Sequence, residues 1–376
     1  MISPRVAVIS DTVDNIDGIA VGLKRLVAAS RRAGHTMTLI GPASGRDGDE
    51  VVRIASAMTA ALPIYPDYTW SVPELPPLVA HLAKHADLVQ LATPGPMGLA
   101  GLIAGRMLGL PVIAQYHTEV AEYAARLTGM PFVKGLVEPF VGWFYKQAEL
   151  CLAPSQTVVD RLTALGITQI VRVQRGVDLA LFDPARRDRG ALARYGVGDG
   201  PVALYVGRLS REKNLDRLRA AWAEVHAQRP DARLVVVGEG PQPKALEGPG
   251  VIATGALHGE ELATVFASAD VFAFPSETET FGNVVVEAAA SGLPAIVAST
   301  GASHEHVIDG VTGVVIDSTA SLASAIVALF DDRTRRARMG GAARAHIASY
   351  DLDHAVDRTW AIYRDVVVNT RRAAAS

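Results

Sequence analysis

The sequence predicts an α/β protein built from two doubly wound parallel sheets in tandem. Three observations carry this. Short continuous apolar runs alternate with helical patterns along the chain, as in strands buried on both faces of a parallel sheet. The series breaks at a loop near residues 183–200 and then restarts. The chain's 376 residues, 49% of them apolar and 20% charged, exceed one typical domain and suffice for two cores.

In the first half, residues 5–10 form an apolar run, followed by a loop and a helical pattern over 18–33 that Gly34 closes as a C-cap. Further strand-like runs lie at 37–40, 87–91, 112–114 and 150–153. The uncharged stretch 88–105 approaches membrane-spanning length, but Pro94, Gly95 and Pro96 interrupt it, and strand–turn–helix is expected there. In the second half the strands are expected at 202–206, 233–237, 251–253, 271–274, 295–298 and 313–316, with a helix over 214–228. The expected division is 1–183 and 184–351, and the tail from Arg371 to Ser376 reads as frayed.

The net charge of −3 excludes a global basic field that would recruit nucleic acid. Cys151 is the only cysteine, so the sequence carries neither an intrachain disulfide framework nor a cysteine zinc site, and a reducing compartment fits. The first residues run straight into a strand without a signal-peptide layout. A soluble, cytoplasmic chain with at most peripheral membrane contact is expected.

The most informative stretch is 276–288. Glu279 and Glu287 flank a Gly282-Asn283 turn that opens an apolar helix, with Glu287 just over one turn in. The backbone N–H groups of Phe281, Gly282, Asn283 and Val284 would converge there on an anion. Two hydroxyl acceptors beside a phosphate cradle suit a nucleotide sugar. Acidic residues at a helix start also merely complement the dipole, so the case needs company.

It comes from Gly207-Arg208 at a strand end, with Lys213-Asn214 just before the next helix: fixed cations that can clamp a diphosphate. Gly238-Glu239-Gly240 reads as a tight turn that also admits a nucleotide, and 254–257, ending in Leu257, is placed by topology to face a base. In the first half, the loop Ser10-Asp11-Thr12 to Asp17-Gly18 lacks the Gly-x-Gly-x-x-Gly fingerprint, which counts against a nicotinamide cofactor. Gly18 would let backbone approach a ligand. Tyr116-His117-Thr118-Glu119 follows a strand, and His117 there can hydrogen-bond a substrate hydroxyl or carbonyl. Residues 130–143 place Phe132, Val133, Leu136, Val137, Phe140 and Trp143 at helical spacing, read first as core packing and second as a surface for a lipid. His304 and His306 do not have metal-ligand spacing, and no metal is expected.

Together these motifs resemble a retaining glycosyltransferase of the GT-B fold, family four, over nearly the whole length. The resemblance rests on Gly207-Arg208 through Lys213-Asn214, Glu279 to Glu287 with Phe281-Gly282, and Ser291-Gly292-Leu293-Pro294. Asp11-Thr12, Asp17 to Ala20, Ala92 to Leu99, Tyr116 to Glu119 and Arg175-Gly176-Val177-Asp178 are similar to the branch with mannosyl and sulfoquinovosyl glycolipid transferases. Arg175 departs from the Asn common in the wider family and agrees with that branch.

The resemblance implies two Rossmann-like domains with a deep cleft, and a C-terminal helix at about 352–376 returning to the first. It implies that Arg208 and Lys213 bind the donor diphosphate, Glu279 the transferred sugar, and Glu287 the ribose. Phe281 to Val284 would bind phosphate, with Gly207, Gly238 and Leu257 also lining the donor. His117 and Gly18 would approach from the other domain, and Asp17, Tyr116, Thr118 and Glu119 would meet the acceptor. No bound metal, cofactor or enzymic nucleophile is implied; a UDP- or GDP-linked hexose and a hydroxyl acceptor, lipid or small molecule, are. A sugar-nucleotide epimerase and a non-catalytic nucleotide-sugar-binding protein of the same shape are the alternatives.

Overall fold

The computed structural model describes residues 3–14, 18–43, 51–62 and 65–375. The chain divides into two compact units, 1–174 with 353–376, and 175–352.

The first unit holds a seven-stranded parallel sheet in the order Val51–Ile54, Met37–Pro42, Val6–Ile9, Leu88–Leu91, Val112–Gln115, Leu150–Ala153, Ile170–Arg172. Most central strands are buried along their length, which is why they read as unbroken apolar runs. Residues 88–105 do form strand, turn and helix, the last being Pro96–Met107.

The two edge strands, Val51–Ile54 and Ile170–Arg172, and a two-stranded ribbon escape the sequence reading. Ser56–Leu62 and Tyr65–Pro73 pair antiparallel as a separate ribbon. Its prolines argue against a strand on local grounds, since proline cannot donate to a ladder.

The C-terminal helix Leu352–Ala375 packs on the first unit. Its Trp360 Nε1 donates to Ser30 Oγ at 3.0 Å. Tyr363 donates to Gln90, whose Nε2 donates in turn to Gln115 Oε1 at 2.7 Å. These buried polar groups satisfy one another across the central strands, as burial requires.

The second unit holds a six-stranded parallel sheet, ordered Val251–Gly255, Arg233–Val237, Val202–Val206, Val271–Phe274, Ala295–Ala298, Gly313–Ile316. Residues 175–183, read from sequence as the end of the first half, belong here. Val177 and Phe182 lie in this unit's core. The Val177 N–H donates to the Tyr350 carbonyl at 2.8 Å, and the Leu352 N–H donates to the Val177 carbonyl at 3.1 Å.

In both sheets the strand order reverses between the first and the fourth strand in sequence. Ligands of doubly wound sheets bind beyond the carboxyl ends at that point.

Candidate functional site

In the second unit the reversal lies between Val202–Val206 and Val271–Phe274. The two loops leaving those strand ends are the two strongest motifs of the sequence. The first runs from Gly207 to Asn214. Gly207 N–H donates to the Val237 carbonyl at 3.0 Å and Leu209 N–H to the Glu239 carbonyl at 2.9 Å, so this loop and the Gly238 turn brace one another. Gly238 N–H donates to the Gly255 carbonyl at 2.9 Å. Arg208 is half-buried, its carbonyl accepting from the Tyr205 hydroxyl at 3.1 Å.

Lys213 ends a short 3₁₀ turn, Arg211–Lys213. Asn214 then takes φ +54°, the one positive value at a non-glycine residue among the described residues. Asparagine tolerates this left-handed conformation better than most side chains. Its Nδ2 donates to the Pro275 carbonyl at 3.2 Å, tying this turn to the second loop.

That second loop carries Glu279. Lys213 Nζ donates to Glu279 Oε1 at 2.5 Å, and Ser276 Oγ to the same oxygen at 2.8 Å. The two charged side chains are only 19% and 16% exposed, so this pair is far less screened than an ordinary surface ion pair. Burial pushes the Glu279 carboxyl up; the Lys213 charge and hydrogen bond, the Ser276 hydroxyl and the Arg175 charge together outweigh it and hold the group below its ordinary value. Glu279 is therefore an anion at neutral pH.

Gly282 caps the helix Asn283–Ala290 at φ +85°. Gly282 brings no side chain to cap the first turn, and no acidic residue sits in it. The N–H groups of Asn283 and Val284 thus face the mouth beside the Lys213–Glu279 pair. Glu287 is 6% exposed, one turn further in.

Phe281 is buried, with the His306 ring edge-on at 4.4 Å and the Arg175 guanidinium 5.9 Å from its centroid. His306 Nε2 lies 2.6 Å from the Phe281 carbonyl, which only accepts, so Nε2 carries the proton. Burial pushes His306 down to about 4, against that carbonyl, so the ring is neutral. His304 Nδ1 meets the Gly301 carbonyl at 2.6 Å. Both histidines serve backbone carbonyls around this loop.

Other expected residues fall elsewhere. Leu257 is half-buried and packs against the second core. In the first unit, His117 is 8% exposed beyond the strand Val112–Gln115. Tyr116 is a core residue whose hydroxyl donates to Glu119 Oε2 at 3.0 Å, and Glu119 in turn pairs with Arg161 at 3.4 Å. Tyr116 and Glu119 thus brace one another inside the unit. Thr118 is half-buried, its carbonyl accepting from the Val120 N–H at 2.9 Å. Gly18 opens the helix Gly18–Arg32 and is exposed, while Asp17 lies outside the described residues.

Sequence reasoning missed Asp11 as a helix partner. Its carboxylate accepts from Met97 N–H at 2.9 Å and Thr93 Oγ1 at 2.5 Å, at the start of the helix Pro96–Met107. Arg175 was legible only as a branch marker; its place over Phe281 needs the folded unit.

The core reading of residues 130–143 is overturned in part. In the helix Phe132–Lys146, Val141, Phe144 and Tyr145 are buried, but Phe132, Leu136, Phe140 and Trp143 are exposed, Leu136 at 70%. They recur every three or four residues along one outer face, which periodicity alone cannot tell from an inner one.

A family model described as glycosyl transferases group 1 matches residues 200–332, and one described as glycosyltransferase family 4 matches residues 16–181. A GDP-mannose-dependent alpha-mannosyltransferase of Mycolicibacterium smegmatis is 32% identical, over 97% of this chain and 96% of its own. A sulfoquinovosyl transferase of Arabidopsis thaliana is 31% identical, over 80% of this chain and 61% of its own. Among solved structures, a sucrose-phosphate synthase of Thermosynechococcus elongatus superposes with a TM-score of 0.77 at 22% identity, covering 97% of this chain and 99% of that one. An Anabaena HepE in complex with UDP-glucose does so at 0.75 and 19%, covering 96% and 99%. At these identities the two structures speak to the fold.

Proposed function

The chain belongs to the family-four glycosyltransferases of the GT-B fold, and from that membership we propose that it moves a hexose from a nucleoside diphosphate sugar to a hydroxyl acceptor, with retention and without a bound metal. The observation that carries this reading is the Lys213–Glu279 pair at an uncapped helix start, on the loops that flank the strand reversal. Arg208 and Lys213 are the cations for the diphosphate, and the N–H groups at Asn283 and Val284 the neutral donors. Glu279 accepts from hydroxyls of the sugar, and Glu287 from those of the ribose. Charge builds on the departing diphosphate, so donors already aimed there stabilise the transition state more than the ground state. The leaving oxygen then takes the acceptor proton on the face it departs from, which gives retention without an enzymic nucleophile.

GDP-mannose is the first donor to test, because full-length relatives at 32% identity carry that dependence in their names. A panel of UDP- and GDP-sugars is screened by thermal shift, since a ligand stabilises the state it binds. Transfer and the anomeric configuration of the product are then read by NMR. Arg208→Ala should cost about 3 kcal/mol of transition-state stabilisation, roughly a hundredfold in turnover. Near-normal turnover in that variant sinks the assignment, an inverted product sinks retention, and loss of activity in a chelator sinks metal independence.

The acceptor is proposed to lie in or at a lipid surface. No described helix is long and apolar enough to cross a membrane. The exposed row Phe132, Leu136, Phe140 and Trp143 supports contact from one side, with Lys146 and Arg106 exposed near its end. Leu136→Glu with Trp143→Glu should cut binding to phosphatidylglycerol vesicles by about tenfold or more. An unchanged bound fraction in a sedimentation assay refutes this contact.

A further inference from the structure

Among the described residues, the charges of Lys213 and Arg175 both act on Glu279, and of these two only Lys213 can leave. Lys213 reaches it on a flexible stem from the Arg211–Lys213 turn. A phosphate at the mouth of the Asn283–Ala290 helix competes for that same ammonium. Once Lys213 turns away, a carboxylate only 16% exposed would stand beside its remaining neighbours. Among the described residues these include the Ser276 hydroxyl on its own loop, Tyr205 on the Val202–Val206 strand, on which the Glu212 charge also acts, and Arg175. Of these only Arg175 is a cation.

Arg175 is built to stay. Two residues on, Val177 is clamped by backbone hydrogen bonds to Tyr350 and Leu352. Its guanidinium stands over Phe281, a planar cation on an aromatic face. The His306 ring fixes that face through its edge contact and its bond to the Phe281 carbonyl. Burial draws Arg175 down to about 10 while the Glu279 charge pulls it back, so it remains protonated at neutral pH.

We propose that Arg175 is the standing counter-charge of Glu279: a positioning residue that keeps this carboxylate anionic and in place when Lys213 is drawn to a phosphate. The proposal rests on the reading that this helix mouth receives a diphosphate. It assigns to the two cations different tasks, Lys213 to be exchanged between carboxylate and phosphate, and Arg175 to be kept.

The test reads the Glu279 carboxyl directly. Protein carrying carboxyl-¹³C glutamate is titrated by NMR with and without inorganic pyrophosphate, and the Glu279 signal is the one missing in Glu279→Gln. In the parent, pyrophosphate leaves the titration midpoint nearly where it was. In Arg175→Met the midpoint with pyrophosphate rises by about one pH unit or more, a tenfold change in proton affinity, and Arg175→Lys recovers most of it. A residue that only supported the fold would not move this midpoint selectively when pyrophosphate is added. Should Arg175→Met fail to fold, as judged by circular dichroism, Arg175→Gln is read in the same way. Equal midpoints in parent and variant with pyrophosphate bound overturn the proposal and leave the transferase reading standing. Pyrophosphate that gives no thermal shift at any concentration removes the diphosphate site itself, and both fall together.

Discussion

The two Rossmann-like units treat the same feature in opposite ways. Each places a helix start beyond the strand that follows the reversal of strand order. In the first unit the chain supplies its own acceptor: Asp11, from the neighbouring loop, accepts from Met97 N–H and the Thr93 hydroxyl at the start of Pro96–Met107. In the second, among the described residues no side chain is seen to accept from the first turn of Asn283–Ala290, and the nearby carboxylate of Glu279 is instead engaged by Lys213. A helix start answered internally contributes to stability, whereas one left for a ligand contributes to binding. The difference separates a helix start closed by the chain itself from one left open within one repeated architecture.

The largest expected effect concerns what braces the second mouth. His306 is buried and neutral behind Phe281, pushed down to about 4. Its unfolded value is near 6.5, so the unfolded chain binds the proton first as pH falls. The stability it contributes is complete above about pH 6.5 and is lost on the way to pH 4, a change of about 3 kcal/mol. Urea unfolding of the parent should show this slope, and His306→Gln should remove most of it. A parent curve flat over that window breaks the claim that the second mouth is held by a neutral histidine.

What was legible in the sequence follows the same division. The Glu279–Glu287 element and the Gly207–Asn214 loop are contiguous segments whose turn chemistry and charges lie within a few residues of one another, and the structure sets them on adjacent loops. Arg175, His306 and Asp11 act on groups distant in sequence, so their partners appear only once the sheets are assembled. Asp11 illustrates the limit. Its neighbour Thr12 and the nearby Gly18 invite a ligand-binding reading, while Met97 and Thr93, its actual partners, give no local signal. The helix Phe132–Lys146 was legible as a helix but not in its orientation, because apolar residues line both its faces.

A smaller effect tests the first mouth. Asp11→Ala leaves the Thr93 hydroxyl and the Met97 N–H without their acceptor, and should cost about 2 kcal/mol of unfolding free energy. Asp11→Asn keeps the shape and one acceptor and should cost less. Burial pushes the Asp11 carboxyl up, against the pull of the Thr93 hydroxyl and the Met97, Gly98 and Gly95 N–H groups. An Asp11→Ala protein as stable as the parent would mean that the first mouth does not depend on its internal acceptor.

The finest distinction lies in the glycine before each helix. Gly282 sits at φ +85°, and a Cβ built there lies 2.6 Å from Ser303 Oγ and 3.3 Å from Ser303 Cα. Gly95 sits at φ −88°, an ordinary value, but its Cβ would lie 2.5 Å from Asp11 Oδ2. Gly282 is thus required by backbone conformation as well as by space, Gly95 by space alone. Gly282→Ala should cost about 1–2 kcal/mol, and removing the Ser303 hydroxyl in Ser303→Ala should recover only the part due to crowding. Gly95→Ala should be destabilising in the parent yet nearly neutral once Asp11 is alanine, a coupling that a double-mutant cycle reads directly. Full rescue of Gly282→Ala by Ser303→Ala would show that the second mouth needs no left-handed residue. The two mouths would then differ only in what fills them.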